Sequence, residues 1–280
     1  MVYLAYTHLR PIEPDTCGGE PQLDVAGVYY RSRALPDASW STAKRIGHEG
    51  NGLQSFRVVN GTIHETFDTG GGLGPVFYGS LRGSTFSSIR IPDAEATSLR
   101  IGDDGRPRIA FTTGGAMRYG VVSGERLTTS TIFAYDDVGP SQPVLVLGRG
   151  DHAFVSWAAI RGQDVVGCED TPTPTHEGTW FATDVDGKWA TKRLSTDIGS
   201  ASLALDVVAG RLHATYTDQR GIRYVTRASD GTWSGSRLEV TEDFNATVLR
   251  RDPQTGLLLL VGSVSGDDES TSGIFAVTAS

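Results

Sequence analysis

Residues 201–240 read ASLALDVVAG RLHATYTDQR GIRYVTRASD GTWSGSRLEV. Four short segments alternate apolar and polar residues here: Ser202-Leu203-Ala204-Leu205, Leu212-His213-Ala214-Thr215-Tyr216, Ile222-Arg223-Tyr224-Val225-Thr226 and Gly235 to Val240. Turn formers separate them, at Ala209-Gly210, Asp218 to Gly221 and Asp230-Gly231. A period of two between such breaks is the pattern of a half-buried β-strand. The stretch therefore predicts four antiparallel strands joined by hairpins.

The same order recurs on either side. One copy runs from Phe56 through Ile63-His64-Glu65-Thr66-Phe67 and Val76-Phe77-Tyr78 to Arg90-Ile91. Another runs from Leu99-Arg100-Ile101 through Ile109-Ala110-Phe111 and Met117-Arg118-Tyr119 to Leu127-Thr128-Thr129. A longer correspondence links Arg10-x6-Cys17-x9-Gly27-Val28-Tyr29-Tyr30 with Arg161-x6-Cys168-x9-Gly178-Thr179-Trp180-Phe181, a spacing of 151 residues. Strands Val2 to Tyr6 and Ala153 to Trp157 precede the two copies, and Lys44-Arg45 and Lys192-Arg193 follow them. Four-stranded repeats of roughly 40–50 residues predict the blades of a β-propeller. The expected fold is all-β: one six-bladed domain over 1–280, with blades near 1–50, 51–95, 96–138, 139–198, 199–243 and 244–280. The first blade lacks an opening strand and the last a fourth, so the terminal blades are incomplete. His64 and His213 share one strand position in the second and fifth units, which points to a three-blade block duplicated once.

Composition narrows the partners. The chain has 280 residues, 35 of them glycine, and a net charge of −8. Its basic residues are scattered, whereas a nucleic-acid groove gathers them, so no nucleic-acid partner is expected. No apolar run reaches the ~20 residues of a membrane helix, and no signal peptide opens the chain.

The turn Ser229-Asp230-Gly231-Thr232-Trp233 between third and fourth strands, with Gly-x-x-His-x-x-Tyr in the second strand, resembles the BNR or Asp-box repeat of bacterial sialidase-like propellers. The family's full box is Ser-x-Asp-x-Gly-x-x-Trp, and this chain carries a shorter form. The resemblance implies a propeller in which the box is a structural turn, its Asp capping the turn and its Trp packing between strands. It carries no function with it. An active sialidase implies three arginines on the substrate carboxylate, a Tyr–Glu nucleophile pair and an Asp acid. Arg57 and Arg100 occupy one position in adjacent first strands and Arg250 lies one residue off register, so these three are candidate ligand contacts. Ile89-Arg90-Ile91-Pro92 is similar to the family's Phe-Arg-Ile-Pro motif but falls in an outer fourth strand, so we read it as coincidence.

Acids stand at every junction between repeats, among them Glu49, Asp137, Asp197 and Asp243. They have two readings. Asp favours turns in any case, and a ring of carboxylates at one mouth of the channel could hold Ca²⁺ or accept hydrogen bonds from sugar hydroxyls. Tyr135 is the loop aromatic expected to meet a ligand. Tyr6, Phe67, Phe111, Trp157 and Tyr216 recur at one second-strand position and read as packing. No metal site is expected from the six histidines, since a zinc site wants convergent ligands.

Cys17 and Cys168 are the only cysteines, in matched long loops of opposed blades. They are expected to meet in a disulfide over the channel, the alternative being two separate thiols. A disulfide implies an oxidising compartment, hence an extracellular or cell-surface protein. The leading functional expectation is a monomeric, non-catalytic recognition module for a glycan or small polar ligand, without a required cofactor. The alternatives are a sialidase-like glycoside hydrolase or polysaccharide lyase, and a protein-interaction scaffold.

Overall fold

The computed structural model describes residues 1–11, 23–34, 36, 38–47, 51–69, 74–135, 139–141, 143–160, 178–196, 203–208, 211–218, 221–237, 244–251, 258–264 and 273–279. Among these residues there is no α-helix, and one 3₁₀ turn spans Arg149–Asp151. No helix is long and apolar enough to cross a membrane.

The strands form six sheets among the described residues, each from one stretch of chain. The first holds β1 (Val2–Pro11), β2 (Leu23–Arg33) and β3 (Lys44–Ile46). The second holds β4 (Asn51–Val59), β5 (Thr62–Thr69), β6 (Val76–Arg82) and β7 (Thr85–Ile91). The third holds β8 (Thr97–Ile101), β9 (Pro107–Thr113), β10 (Ala116–Ser123) and β11 (Arg126–Ala134). In the fourth, β12 (Gly139–Pro140) and β13 (Val144–Leu147) both pair with β14 (Ala153–Ile160), followed by β15 (Gly178–Thr183) and β16 (Ala190–Ser195). The fifth holds β17 (Leu203–Val208), β18 (Arg211–Asp218), β19 (Gly221–Arg227) and β20 (Trp233–Arg237). The sixth holds β21 (Phe244–Arg251), β22 (Leu258–Val264) and β23 (Gly273–Ala279). The protein is thus nearly all β, in several antiparallel sheets of neighbouring strands.

Local chemistry fixes the hairpins. Asn60 and Gly61 both have positive φ, 49° and 75°, between β4 and β5. That backbone matches the twist of the flanking strands and is affordable to Asn-Gly. Gly79 on β6 answers a different need. A Cβ there would sit 2.9 Å from Phe67 Cε1 and 3.0 Å from Phe86 Cε2, so the missing side chain is what lets the two rings cover the strand.

The chain divides into two compact units. The first comprises Met1–Ile101, Gly105–Phe111 and Gly120–Thr129. Its core has two clusters. Val28 and Ile46 of the first sheet meet Ile63 of the second, and Val76, Tyr78 and Ile91 of the second meet Leu99, Ile109 and Phe111 of the third. Hydroxyls add stitches between sheets: Leu53 N donates to Thr7 Oγ1 at 3.0 Å and Leu99 N to Ser55 Oγ at 3.2 Å.

The second unit comprises Gly102–Asp104, Thr112–Tyr119 and Ser130–Ser280. Here Val146, Phe154 and Phe181 of the fourth sheet pack against Leu212, Ala214 and Tyr216 of the fifth. The Asp230 turn behaves as a capped turn: Thr232 N donates to Asp230 Oδ1 at 2.8 Å, and Gly231 takes a φ of 86°. Trp233, which closes it, meets Phe181 of the preceding sheet edge-on at 4.9 Å between centroids. Trp189, at the same place in the fourth sheet, meets Tyr119 edge-on at 5.2 Å and donates Nε1–H to Ser130 Oγ at 3.2 Å. The recurrent second-strand aromatic is packing: Phe67, Phe111, Trp157 and Tyr216 are all buried. Tyr6 stacks on Tyr29 at 6.1 Å.

Candidate functional site

Arg57 and Arg100 hold the equivalent places expected of them, on β4 and β8, and adopt the same posture. Each folds Nη1 back onto the carbonyl of the preceding residue, Phe56 at 2.6 Å and Leu99 at 2.9 Å. In register, Arg57 stands opposite His64 and Arg100 opposite Arg108. Arg250 stands opposite Leu259 on β21, and its side chain lies outside the described residues. So do Glu49, Asp137, Asp197 and Asp243, to which calcium or sugar binding was assigned, and Cys17 and Cys168 with their expected disulfide.

Tyr135 differs from expectation. It is buried, accepts Trp157 Nε1–H at its hydroxyl, and lies 4.7 Å from Phe133 between centroids. Desolvation pushes its phenol above the usual range. An aromatic read as a loop residue is held inward because Trp157 needs a buried acceptor for its indole N–H.

Of the acids in the second sheet, Asp68 is buried and takes a bond from Gln54 Nε2 at 3.5 Å. The same Nε2 also donates to Glu95 O at 3.0 Å, while Gln54 Oε1 accepts from Thr97 Oγ1 at 2.9 Å. Thr97 Oγ1 in turn lies 2.6 Å from Thr66 Oγ1. This chain of bonds ties the second sheet to β8 and gives Asp68 a structural task.

The first unit contains a cleft of about 680 Å³ towards the hairpin-turn end of its sheets. One wall comes from β6 and β7, the other from the turns around Gly105 and Gly124. Its polar groups are the hydroxyls of Tyr78, Ser80, Ser87, Ser88 and Ser123, with the charges of Arg90, Arg106 and Glu125. Ile89, Pro107 and Val122 supply an apolar part.

The strand register builds the first wall. Arg57, His64, Ser80 and Ser87 are direct partners across β4, β5, β6 and β7, so they share one face of the sheet. Ser80 Oγ and Ser87 Oγ are 2.9 Å apart, and His64 Nδ1 lies 2.7 Å from Tyr78 Oη. Burial lowers the His64 imidazole's pKa and raises the Tyr78 phenol to about 12, the latter offset in part by Ser80. Both are therefore neutral at pH 7. His64, Tyr78, Ser80 and Ser87 offer hydrogen bonds without fixed charge, while Arg57 of the same row and Arg90, Arg106 and Glu125 of the cleft carry charge.

Sequence reasoning singled out His64 but took it as structural, and passed over Tyr78, Ser80 and Ser87. The signal was present across the strands rather than along them: a histidine one strand from serines at matching register.

No protein-family model matches the chain, and no curated protein matches it either. Solved structures do. A polysaccharide lyase of family PL25, an ulvan lyase, superposes with a TM-score of 0.62 at 14% identity, over 99% of this chain and 83% of that one. A protein of unknown function from Dyadobacter fermentans gives 0.59 at 11% identity, over 99% and 90%. The GH93 α-L-arabinofuranosidase of Fusarium graminearum, solved with arabinobiose, gives 0.53 at 10% identity, over 90% and 85%. At such identities the likeness is one of fold.

Proposed function

We propose that the chain is a non-catalytic glycan-recognition module, extracellular or on the cell surface, whose six sheets are the blades of a propeller. The observation that carries this reading is the cleft of the first unit. Clustered hydroxyls and neutral ring groups suit a polyhydroxylated ligand, because a hydroxyl both donates and accepts. The apolar strip of Ile89, Pro107 and Val122 suits the C–H face of a sugar ring. The likeness to structures that bear the names of a lyase and an arabinofuranosidase supports a saccharide over other polyols. Arg57, Arg100 and Arg250, with the junction acids Glu49, Asp137, Asp197 and Asp243, are proposed as a further contact surface. Calcium is the cation that the acids would take.

A second reading, a glycoside hydrolase or lyase, is favoured by one observation. His64 and Tyr78 form a hydrogen-bonded pair of neutral acid–base groups, one of which lines the cleft. Such pairs can move protons.

A glycan array on the purified chain, with calcium and with chelator, tests the first reading. Retention of a defined sugar class without turnover is the expected result. Product release by thin-layer chromatography would transfer the assignment to the second reading, and an array with no binding would remove both.

A further inference from the structure

The polar row of the second sheet has a counterpart in the fifth. In the second, His64 pairs in register with Ser80 and Ser80 with Ser87; in the fifth, His213 pairs with Thr226 and Thr226 with Ser234. His64 Nδ1 bonds Tyr78 Oη, and His213 Nδ1 bonds Tyr224 Oη. Ser80 Oγ and Ser87 Oγ are 2.9 Å apart, and Thr226 Oγ1 and Ser234 Oγ are 3.0 Å apart. Exposure also corresponds: both histidines are half-buried, and Ser87 and Ser234 are exposed. Four side chains and the two hydrogen bonds between them recur in sheets three repeats apart.

The fold does not require this row. In the fourth sheet the same register places hold Phe154 for the histidine, Phe181 for the tyrosine and Ala190 for the outer serine. Phe154 and Phe181 stack there at 6.2 Å. In the third sheet Arg108 stands at the histidine position, three residues before the buried aromatic Phe111. An apolar pair satisfies the packing, so the histidine, tyrosine and paired hydroxyls of the fifth sheet are surplus to it. Desolvation raises the Tyr224 phenol, partly offset by the nearby charge of Arg211, and the ring stays neutral as Tyr78 does.

From this we infer that the fifth sheet carries a second saccharide site, so that one chain holds two glycans of one class. The inference rests on the reading of the first-unit cleft as a sugar site. At each site the outer hydroxyl pair takes a vicinal diol. One bond between the two hydroxyls leaves them a donor and several lone pairs facing outward, the complement of two adjacent sugar hydroxyls. The His–Tyr pair beneath supplies a neutral polar floor. Arg211, exposed at the start of β18, adds a donor that the second sheet does not have at that place, where Thr62 stands.

Native mass spectrometry of the full chain with defined neutral, uronate-containing and sulfated di- to hexasaccharides counts the sites directly. Ser87→Trp and Ser234→Trp fill the two hydroxyl pairs from exposed positions, with circular dichroism and melting checks that each variant folds. The expected result is two saccharides per wild-type chain, one per chain for either variant and none for the double variant. One saccharide per wild-type chain, lost in Ser87→Trp and unchanged in Ser234→Trp, would overturn the second site and leave the cleft standing. Two saccharides that persist in Ser234→Trp would overturn it as well. No binding by any saccharide would remove the cleft reading and the second site together.

Discussion

Two residues before the buried second-strand aromatic, successive sheets place Ile109, Val155 and Ala214, each fully buried, and the second sheet places Glu65. Glu65 is only 1% exposed, and among the described residues neither carboxylate oxygen has a hydrogen-bond partner. Its register neighbours are Phe56 and Gly79, which offer none. Desolvation accordingly raises its pKa from 4.5 to about 8. Between these values the folded chain holds a proton that the unfolded chain has released, so stability falls as pH rises from about 4.5 and levels off above about 8. The slope is about 1.4 kcal/mol per pH unit. Urea unfolding across that window should show the decline, and Glu65→Leu should flatten it and add about 3 kcal/mol at pH 7. An equal slope in the variant would mean that another group is responsible.

At the level of elements, the turns that end in tryptophan show what that ring does at a hairpin. Trp233 is half-buried on Phe181, with Lys192 Nζ 5.8 Å from its ring centre. Trp40, the equivalent in the first sheet, is 37% exposed and meets Arg33 of its own sheet at 5.0 Å. Trp233→Ala should therefore cost about 2–3 kcal/mol in chemical denaturation, and Trp40→Ala less than about 1 kcal/mol. Equal losses would deny the contact between sheets its role. The turn was legible in the sequence because Asp, Gly and Trp sit at fixed offsets. The strands were legible because turn formers bound them and most keep a period of two; β9 and β14, buried along six and seven consecutive residues, do not. The cleft was not legible. Ser80 and Ser87 read as ordinary solvent-facing alternation until pairing sets them beside His64, and pairing is a property of two segments at once. Tyr135 was misread for the converse reason, since nothing along the chain reveals that Trp157 requires its hydroxyl.

For the whole molecule, charge is the property that composition reports without a fold. A net charge of −8 with scattered basic residues leads to the expectation that a polyanion does not bind. A short duplex DNA at low salt should migrate unchanged beside the protein in a native gel; a salt-sensitive shift would show a basic surface that composition conceals. The chain reads as six repeat units, and the described residues hold six antiparallel sheets. The junction acids Glu49, Asp137, Asp197 and Asp243 and the cysteines Cys17 and Cys168 lie outside the described residues.

The tryptophan hooks also set where the chain can be cut. Trp189 belongs by sequence to the fourth sheet and by packing to the third, and Trp233 to the fifth and the fourth. A fragment that stops at 196 would keep Phe181 and discard the ring that covers it. At these two borders the transferable module is offset from the sheet, and a graft cut between the third and fourth or the fourth and fifth sheets would leave one bare aromatic and one stray tryptophan.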